Sequence, residues 1–203
     1  MPVATPILQN EIVALEPAVA AHAAGLAACC ADDPATFRYF SGRIVPGCEA
    51  SMASHLASLA ASETTRAYAV RSKRNGDIVG CTTYLDIRVP HLGVEIGWTF
   101  YGVAARGTAV NPACKLLLMD HAFGGGLFGV PAVRVQLKTD ERNAHSRRAI
   151  EKLGAAFEGV MRQNVVMSDG FRRSTAMYSV LLDEWPDLRE QLKRRLAEFS
   201  DPA

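Results

Sequence analysis

The chain has 203 residues, of which 49% are hydrophobic and 21% are charged, and its formal net charge at pH 7 is +1. This composition is typical of a globular protein and lacks the basic excess of a dedicated nucleic-acid binder, so no nucleic-acid partner is expected. No stretch approaches the roughly 18 apolar residues of a membrane span, and residues 1–30 lack the pattern of a signal peptide. We therefore expect a single cytoplasmic domain with no membrane partner.

Cysteine and histidine are the residue types that most often mark metal sites or disulfides, and the chain has five of each. The cysteines are odd in number and show no C-x-x-C spacing, and no two histidines have H-x-x-x-H spacing. The sequence therefore predicts neither a disulfide framework nor a bound metal.

The first third of the chain predicts one strand, two helices and a hairpin. Residues 7–16 fit a strand, and Pro17 can begin an Ala-rich helix that Pro34 ends. Residues 49–62 carry apolar side chains at helical spacing. Residues 66–70 and 78–87 are typical of two antiparallel strands, because Asn75 and Gly76 between them both tolerate positive φ.

Residues 94–123 are the most informative part of the sequence. Apolar side chains occupy every second position from 94 to 100 (Val94, Ile96, Trp98 and Phe100), which predicts a strand with one buried face. The stretch ends in an apolar helix. Small residues at 102–109 join the two elements. Main-chain N–H groups and a helix N-terminus at such a junction can hold an anion, so we expect a phosphate-bearing cofactor to bind there.

The remaining elements complete a mixed α/β domain. The G-x-G-x-x-G pattern at 124–129 follows a helix and precedes a strand, so it is not a dinucleotide fingerprint. A strand at 133–139, a short helix at 144–153 and two strands at 157–167 and 172–182 follow it. A C-terminal helix at 187–199 ends the single domain, which shows no internal repeat or linker.

The order of these motifs resembles the GNAT superfamily of N-acetyltransferases, and more narrowly its RimJ/RimL-like branch, over most of the chain. Residues 104–109 (AARGTA) align with the family motif Q/R-x-x-G-x-G/A, in which main-chain N–H groups bind the pyrophosphate of acetyl-CoA. Gly107 and Ala109 keep the small positions, whereas Ala104 replaces the leading Gln or Arg. Four further short motifs match the branch in order and spacing: EIGW at 95–98, Asn143 with Ser146, KLGA at 152–155 and EG at 158–159.

The resemblance implies a GNAT fold, whose central, mostly antiparallel twisted sheet has about seven strands and flanking helices. The fourth and fifth strands of that fold splay apart, and the pantetheine arm of acetyl-CoA inserts between them like a substitute strand. The residues implied to bind the cofactor are Trp98, Thr99, Phe100, Val103, Ala104, Ala105, Arg106, Gly107, Thr108, Ala109, Asn143 and Ser146. Asn143 would bind the pantetheine arm, cap the following helix, or do both.

The start of the helix after the loop is ambiguous. The family's helix begins near Gly107, whereas Asn111-Pro112 has the form of an N-cap followed by a first helical proline. We favour the family's start, with an irregular first turn in which Pro112 removes one hydrogen bond.

The resemblance also suggests the proton-transfer groups. Ser146 matches a serine that protonates the departing thiolate in Rim-type relatives. The glutamate that acts as the base in those relatives aligns near Val165, which cannot accept a proton. Glu95 is therefore the candidate base here, acting directly or through water. The alternative is that Glu95 is only a hydrogen-bonded carboxylate of the strand. Tyr178 is a lesser candidate for either proton-transfer role. Arg106 is a candidate for contact with the phosphates of the cofactor.

The sequence therefore predicts an N-acetyltransferase that uses acetyl-CoA as cosubstrate and acetylates a primary amine by direct attack in a ternary complex. The acceptor is a protein or peptide N-terminus or a small-molecule amine, and its pocket would come from residues 37–40 and 49–62. A non-catalytic CoA-binding regulatory domain is the alternative, because Ala104 and Val165 depart from the family pattern. Rim-type relatives often dimerise, so a homodimer is also considered.

Overall fold

The computed structural model describes residues 5–199 of the chain. These residues form eight strands, which are β1 (Leu8–Gln9), β2 (Val13–Pro17), β3 (Arg66–Ser72), β4 (Ile78–Arg88), β5 (Gly93–Tyr101), β6 (Arg134–Asp140), β7 (Ala156–Val166) and β8 (Arg172–Leu181). They also form five α-helices, which are α1 (Ala23–Cys29), α2 (Glu49–Ala60), α3 (Val110–Phe123), α4 (Ala144–Glu151) and α5 (Trp185–Glu198).

The strands form one sheet in the order β1-β2-β3-β4-β5-β6-β8-β7, and every neighbouring pair is antiparallel except β5 with β6. The predicted mixed α/β domain with a mostly antiparallel sheet is confirmed. There are eight strands among the described residues instead of about seven, because residues 7–16 contain a turn. Asn10 Oδ1 accepts hydrogen bonds from the N–H groups of Ile12 (3.0 Å) and Val13 (2.9 Å), which folds the chain back on itself.

The first helix begins later than the sequence predicts. Pro17 is the last residue of β2, and the N–H of Ala18 still donates to the carbonyl of Ala67 on β3 (2.8 Å). Pairing with β3 thus outweighs the preference of proline for a helix start. A 3₁₀ turn over Ala20–His22 then leads into α1, which begins at Ala23.

The sheet opens between β5 and β6. Only three residue pairs join these strands, from Gly93 opposite Arg134 to Glu95 opposite Gln136, although β5 continues to Tyr101. The two strands correspond to the fourth and fifth strands of the GNAT fold, so the predicted splay is confirmed. We call the space between them beyond Glu95 the strand gap.

A β-bulge at Trp98 changes which faces the side chains of β5 occupy. Trp98 has φ of +45°, and the register of β5 with β4 shifts beside it. The structure has two hydrophobic cores. Val94 and Ile96 belong to the core that lies beneath α3, whereas Trp98 and Phe100 belong to the core formed with α1 and α2. The predicted single buried face was therefore wrong, because the extra residue of the bulge reverses the alternation.

Helix α3 begins at Val110, with Ala109 at its N-cap. This start is later than the family's start near Gly107 and earlier than the start of a helix capped by Asn111. Pro112 is the third helical residue, where an N–H would have no partner inside the helix anyway, so the expected loss of a hydrogen bond does not occur.

In the last third of the chain, β7 and β8 complete one edge of the sheet and α5 packs against α3. Gly154 (φ +85°) follows α4, and β7 and β8 pair as the predicted hairpin. Helix α5 begins at Trp185, two residues before the predicted start, because Trp185 stacks on Phe123 of α3 (ring centroids 5.6 Å apart) and donates its indole N–H to Asp120 Oδ1 (3.2 Å). None of the helices within residues 5–199 has both the length and the apolar character that crossing a membrane requires.

Candidate active site

The loop between β5 and α3 presents unpaired donors. No residue within the described part of the chain accepts a hydrogen bond from the main-chain N–H groups of Gly107, Thr108 or Ala109. Gly107 has φ of +72°, which favours glycine, and a Cβ there would meet no atom within 4 Å. These N–H groups precede the positive end of the α3 dipole, so the loop has the donors and the open space that an anion requires.

The side chain of Arg106 holds this loop in place. Its Nε donates to the carbonyl of Tyr101 (2.9 Å), Nη1 to Asp33 Oδ2 (2.6 Å) and Nη2 to Thr36 Oγ1 (2.9 Å). The bond from Arg106 lowers the pKa of the Asp33 carboxyl. Arg106 therefore ties the loop to the connection between α1 and α2, and its predicted contact with cofactor phosphates stays a prediction. Asp33 is 73 residues away in sequence, and no local pattern identifies it as a partner.

The bulge residues lie beside the strand gap. The Trp98 ring stacks on His55 of α2, with centroids 4.9 Å apart and planes at 23°. The Phe100 ring packs edge-on against Phe37 at 5.0 Å. These side chains cover the α1–α2 face of the sheet, so the main chain of residues 98–100 is what remains to contact a ligand in the gap. Their predicted cofactor role concerns that main chain and stays a prediction.

Thr99 has a partner that the sequence did not suggest. Lys115 of α3 is buried, and its Nζ donates to Thr99 Oγ1 (2.9 Å) and Thr82 Oγ1 (3.4 Å). No carboxylate among residues 5–199 pairs with it, and burial lowers the pKa of Lys115 to about 8. A lysine in the middle of a helix that is apolar over most of its circumference is the sequence signal that could have drawn attention to it.

Glu95 is the last residue of β5 that pairs with β6, so its carboxylate lies at the closed end of the strand gap. The residue is 1% exposed. Its Oε2 forms an ion pair with Lys138 Nζ (2.8 Å) and accepts a hydrogen bond from Gln136 Nε2 (3.3 Å), and both partners are on β6. Sequence reasoning missed these two partners because only the register of β6 against β5 brings them beside Glu95.

Asn143 and Ser146 follow β6 at the start of α4. Asn143 is the N-cap, and its Oδ1 accepts the Ser146 N–H (3.1 Å), so its predicted capping role is observed. With Oδ1 engaged, the Nδ2 amide is the group that Asn143 can offer to a ligand. Both residues are half-buried, and β6 leads into them from the part of the strand that no longer pairs with β5.

The hydroxyl of Tyr178 on β8 forms hydrogen bonds with two residues of α4. The hydroxyl accepts a hydrogen bond from Arg147 Nε (3.0 Å) and donates to Glu151 Oε1 (2.9 Å). Burial raises the pKa of Tyr178. These bonds attach α4, the helix that carries Ser146, to the sheet; the proton-transfer role predicted for Tyr178 stays a prediction.

The chain matches one protein-family model. The family model described as acetyltransferase (GNAT) domain matches residues 13–156, which span most of the sheet and both sides of the gap. A comparison with curated proteins gives no match.

Solved structures resemble the whole chain. A T. thermophilus protein assigned as an acetyltransferase is 33% identical with a TM-score of 0.85, covering 95% of this chain and 98% of that one. A GCN5-related N-acetyltransferase from Brucella melitensis is 28% identical with a TM-score of 0.86, covering 96% and 87%. Mycobacterium smegmatis RimJ in complex with CoA-disulfide shares the fold at 18% identity, with a TM-score of 0.76 over 94% and 93%. The chain thus belongs to the GNAT family and is an acetyltransferase.

Proposed function

We propose that this protein transfers an acetyl group from acetyl-CoA to a primary amine by direct attack of the amine in a ternary complex. One arrangement carries the proposal: the strand gap has a buried carboxylate, Glu95, at its closed end and the anion-binding loop of residues 107–109 beyond the end of β5.

The residues around the gap fit acetyl-CoA. Beyond Glu95 and Gln136 the facing edges of β5 and β6 no longer pair with each other, so extended backbone is left to bond the amides of a pantetheine arm. The N–H groups of Gly107, Thr108 and Ala109 would hold the pyrophosphate. The replacement of the motif's first residue by Ala104 removes no main-chain donor, so the loop keeps its binding capacity.

When bound, acetyl-CoA supplies an activated acetyl carbon attached to a thiolate leaving group. The protein's part is to orient it and to move two protons. The main chain at the Trp98 bulge would donate to the thioester oxygen, where negative charge develops. Asn143 Nδ2 would bind the arm, and Ser146 Oγ would donate the proton that the departing thiolate takes.

Glu95 is proposed as the base that accepts the proton of the attacking amine. Its carboxylate is the buried acid at the point where β5 and β6 separate, and Lys138 holds its position through the 2.8 Å ion pair. A base must lie within hydrogen-bond reach of the proton that it removes, either directly or through one water molecule.

The proposal is tested by incubating the purified protein with acetyl-CoA and a pool of peptides and small primary amines. We expect CoA release, measured with a thiol reagent, only when an acceptor is present, and acetylated amines detected by mass spectrometry. Calorimetry with acetyl-CoA alone provides the reference for cofactor binding. Tight binding without amine-dependent CoA release would favour a non-catalytic CoA-binding domain instead.

A further inference from the structure

Arg173 on β8 is a buried cation. The residue is 8% exposed, and burial lowers the pKa of its guanidinium. Its Nε and Nη2 donate to Thr175 Oγ1 (3.3 and 3.2 Å), and Nη1 donates to the carbonyl of Tyr39 (3.1 Å). No carboxylate of residues 5–199 forms a salt bridge with it. A guanidinium has five N–H donors, so Arg173 keeps N–H groups for a further partner.

The nearby carboxylates are already engaged. Glu95 is paired with Lys138 (2.8 Å), and Asp140 is paired with Arg142 through Nη2 (2.7 Å). Glu95 and Asp140 both act on the charge of Arg173, but neither is free to neutralise it. This cationic cluster of Glu95, Lys138, Asp140, Arg142 and Arg173 therefore has one positive charge in excess. Burying an uncompensated charge is costly, which suggests that an anion completes the cluster.

The cluster lies on the face of the sheet from which the acceptor would enter. Lys138 pairs with Met177 and Asp140 with Thr175, so alternation along β6 and β8 places Lys138, Asp140 and Arg173 on one face. That face carries Glu95, because Lys138 reaches its carboxylate. The Tyr39 carbonyl covers Arg173, and residue 39 belongs to the segment expected to form the acceptor pocket.

The rim of this region is also basic. Arg142 packs over the ring of Phe171 at 3.8 Å and over Tyr39 at 5.9 Å, and its side chain is 46% exposed. Arg38 lies 5.6 Å from the centroid of the Tyr39 ring, and Arg43 Nη2 donates to the carbonyl of Ser168 (3.5 Å). Such a rim attracts anionic molecules and repels polycations.

We propose that the cationic cluster is a subsite for a carboxylate, so that the acceptor is a primary amine bearing a carboxylate and not a polyamine or an aminoglycoside. This inference rests on the proposed function. A single carboxylate balances the single excess charge, whereas a dianionic phosphate would exceed it.

The test compares matched acceptors with the full-length enzyme and acetyl-CoA. Amino carboxylates of increasing chain length are assayed beside their carboxamides, which have nearly the same shape but no negative charge. A polyamine and peptides with an acidic second residue are assayed with them. We expect kcat/KM for the best carboxylate to exceed that of its amide by about tenfold or more, as one charge-assisted contact provides. Whether free amino carboxylates or acidic peptides are turned over then identifies the source of the carboxylate.

Variants of Arg173 complete the test. Arg173→Gln should reduce the carboxylate-to-amide ratio towards unity, and Arg173→Lys should restore part of it. Arg194→Gln, on the exposed side of α5, is the matched control and should leave the ratio unchanged. Thermal unfolding verifies that each variant folds, and the ratio for the unaltered enzyme tests the inference even if Arg173→Gln does not fold.

Two results would overturn the inference while leaving the proposed function intact: equal kcat/KM for carboxylates and amides, or highest kcat/KM for the polyamine. Bound acetyl-CoA with no transfer to any amine would instead overturn the proposed function, and the inference with it.

Discussion

Lys138 Nζ lies 2.8 Å from Glu95 Oε2 and connects β6 to β5 where the two strands separate. The lysine side chain is 37% exposed and the carboxylate 2%, so the pair reaches from the surface to the closed end of the strand gap. The ion pair therefore holds the carboxylate that is proposed as the base in a fixed position.

Glu95→Gln preserves the shape of the side chain but removes the carboxylate that is proposed as the base. We expect kcat to fall by about a hundredfold or more, the usual contribution of a positioned base, with acetyl-CoA affinity unchanged. Steady-state kinetics and calorimetry measure the two quantities. Glu190→Gln on the surface of α5 is the control. A Glu95→Gln enzyme with normal kcat would exclude Glu95 as the base.

Gly107→Glu places a carboxylate where the loop should hold pyrophosphate. The side chain has space, because a Cβ at this position meets no atom within 4 Å, so the effect should arise from charge and backbone strain. Gly107→Ala introduces the strain alone, at a cost of about 1 kcal/mol. We expect calorimetry to show acetyl-CoA affinity reduced more than about tenfold in the glutamate variant and much less in the alanine variant. Equal affinities in the two variants would argue against phosphate binding at this loop.

Arg106 and Asp33 should act as one unit in holding the cofactor loop. Arg106→Gln and Asp33→Asn each break the 2.6 Å ion pair, and each should weaken both acetyl-CoA binding and resistance to urea. Because Arg106→Gln already removes the contact with Asp33, the double variant should be scarcely worse than Arg106→Gln alone. Asp33→Asn keeps the bonds of Arg106 to Tyr101 and Thr36 and should have the smallest effect. Additive losses would show that the two side chains act independently.

Lys115→Met tests the buried ammonium beneath the bulge. The pKa of Lys115 is about 8 in the folded protein, against 10.5 for an exposed lysine, so between these pH values the unfolded chain binds the proton that the folded chain has released. The free energy of unfolding of the unaltered protein, measured relative to that of the methionine variant, must therefore rise with pH in that window. The rise should be on the order of 3 kcal/mol. Below pH 8 both states are charged and the penalty is full, so the methionine variant should be the more stable one.

Urea unfolding of both proteins across this pH window measures the difference. Tyrosines and cysteines titrate in the same range, but they are common to both proteins and cancel in the comparison. A difference that stays constant across the range would show that Lys115 keeps its proton in the folded protein.

The features predicted from sequence are those encoded over short distances. The strand, small-residue loop and helix of residues 94–123 are contiguous, and the hairpins depend on turn residues such as Asn75-Gly76 that lie inside them. The cap of α4 by Asn143 depends on a residue three positions away. Patterns of this range specify the fold and the position of the cofactor loop.

The features that were missed depend on contacts between distant segments. Lys138 reaches Glu95 only through the register of β6 with β5, and Arg173 joins the same cluster only because β8 pairs with β6. The bulge at Trp98 was missed because an extra residue in a strand does not disturb the alternation in the sequence; it disturbs only the pairing with β4. Acceptor chemistry therefore required the three-dimensional arrangement.

The short junction of three residue pairs between β5 and β6 links ligand binding to the integrity of the sheet. Strands β1–β5 and β6–β8 form two halves that share few main-chain hydrogen bonds, so a ligand lying between them adds contacts to both. Mass action then makes resistance to unfolding depend on ligand supply, by about 2.7 kcal/mol at a free concentration about a hundred times the Kd. Depletion of acetyl-CoA should therefore make this enzyme more susceptible to unfolding and proteolysis, in addition to stopping its reaction. The lifetime of the enzyme would then depend on the supply of its own cosubstrate.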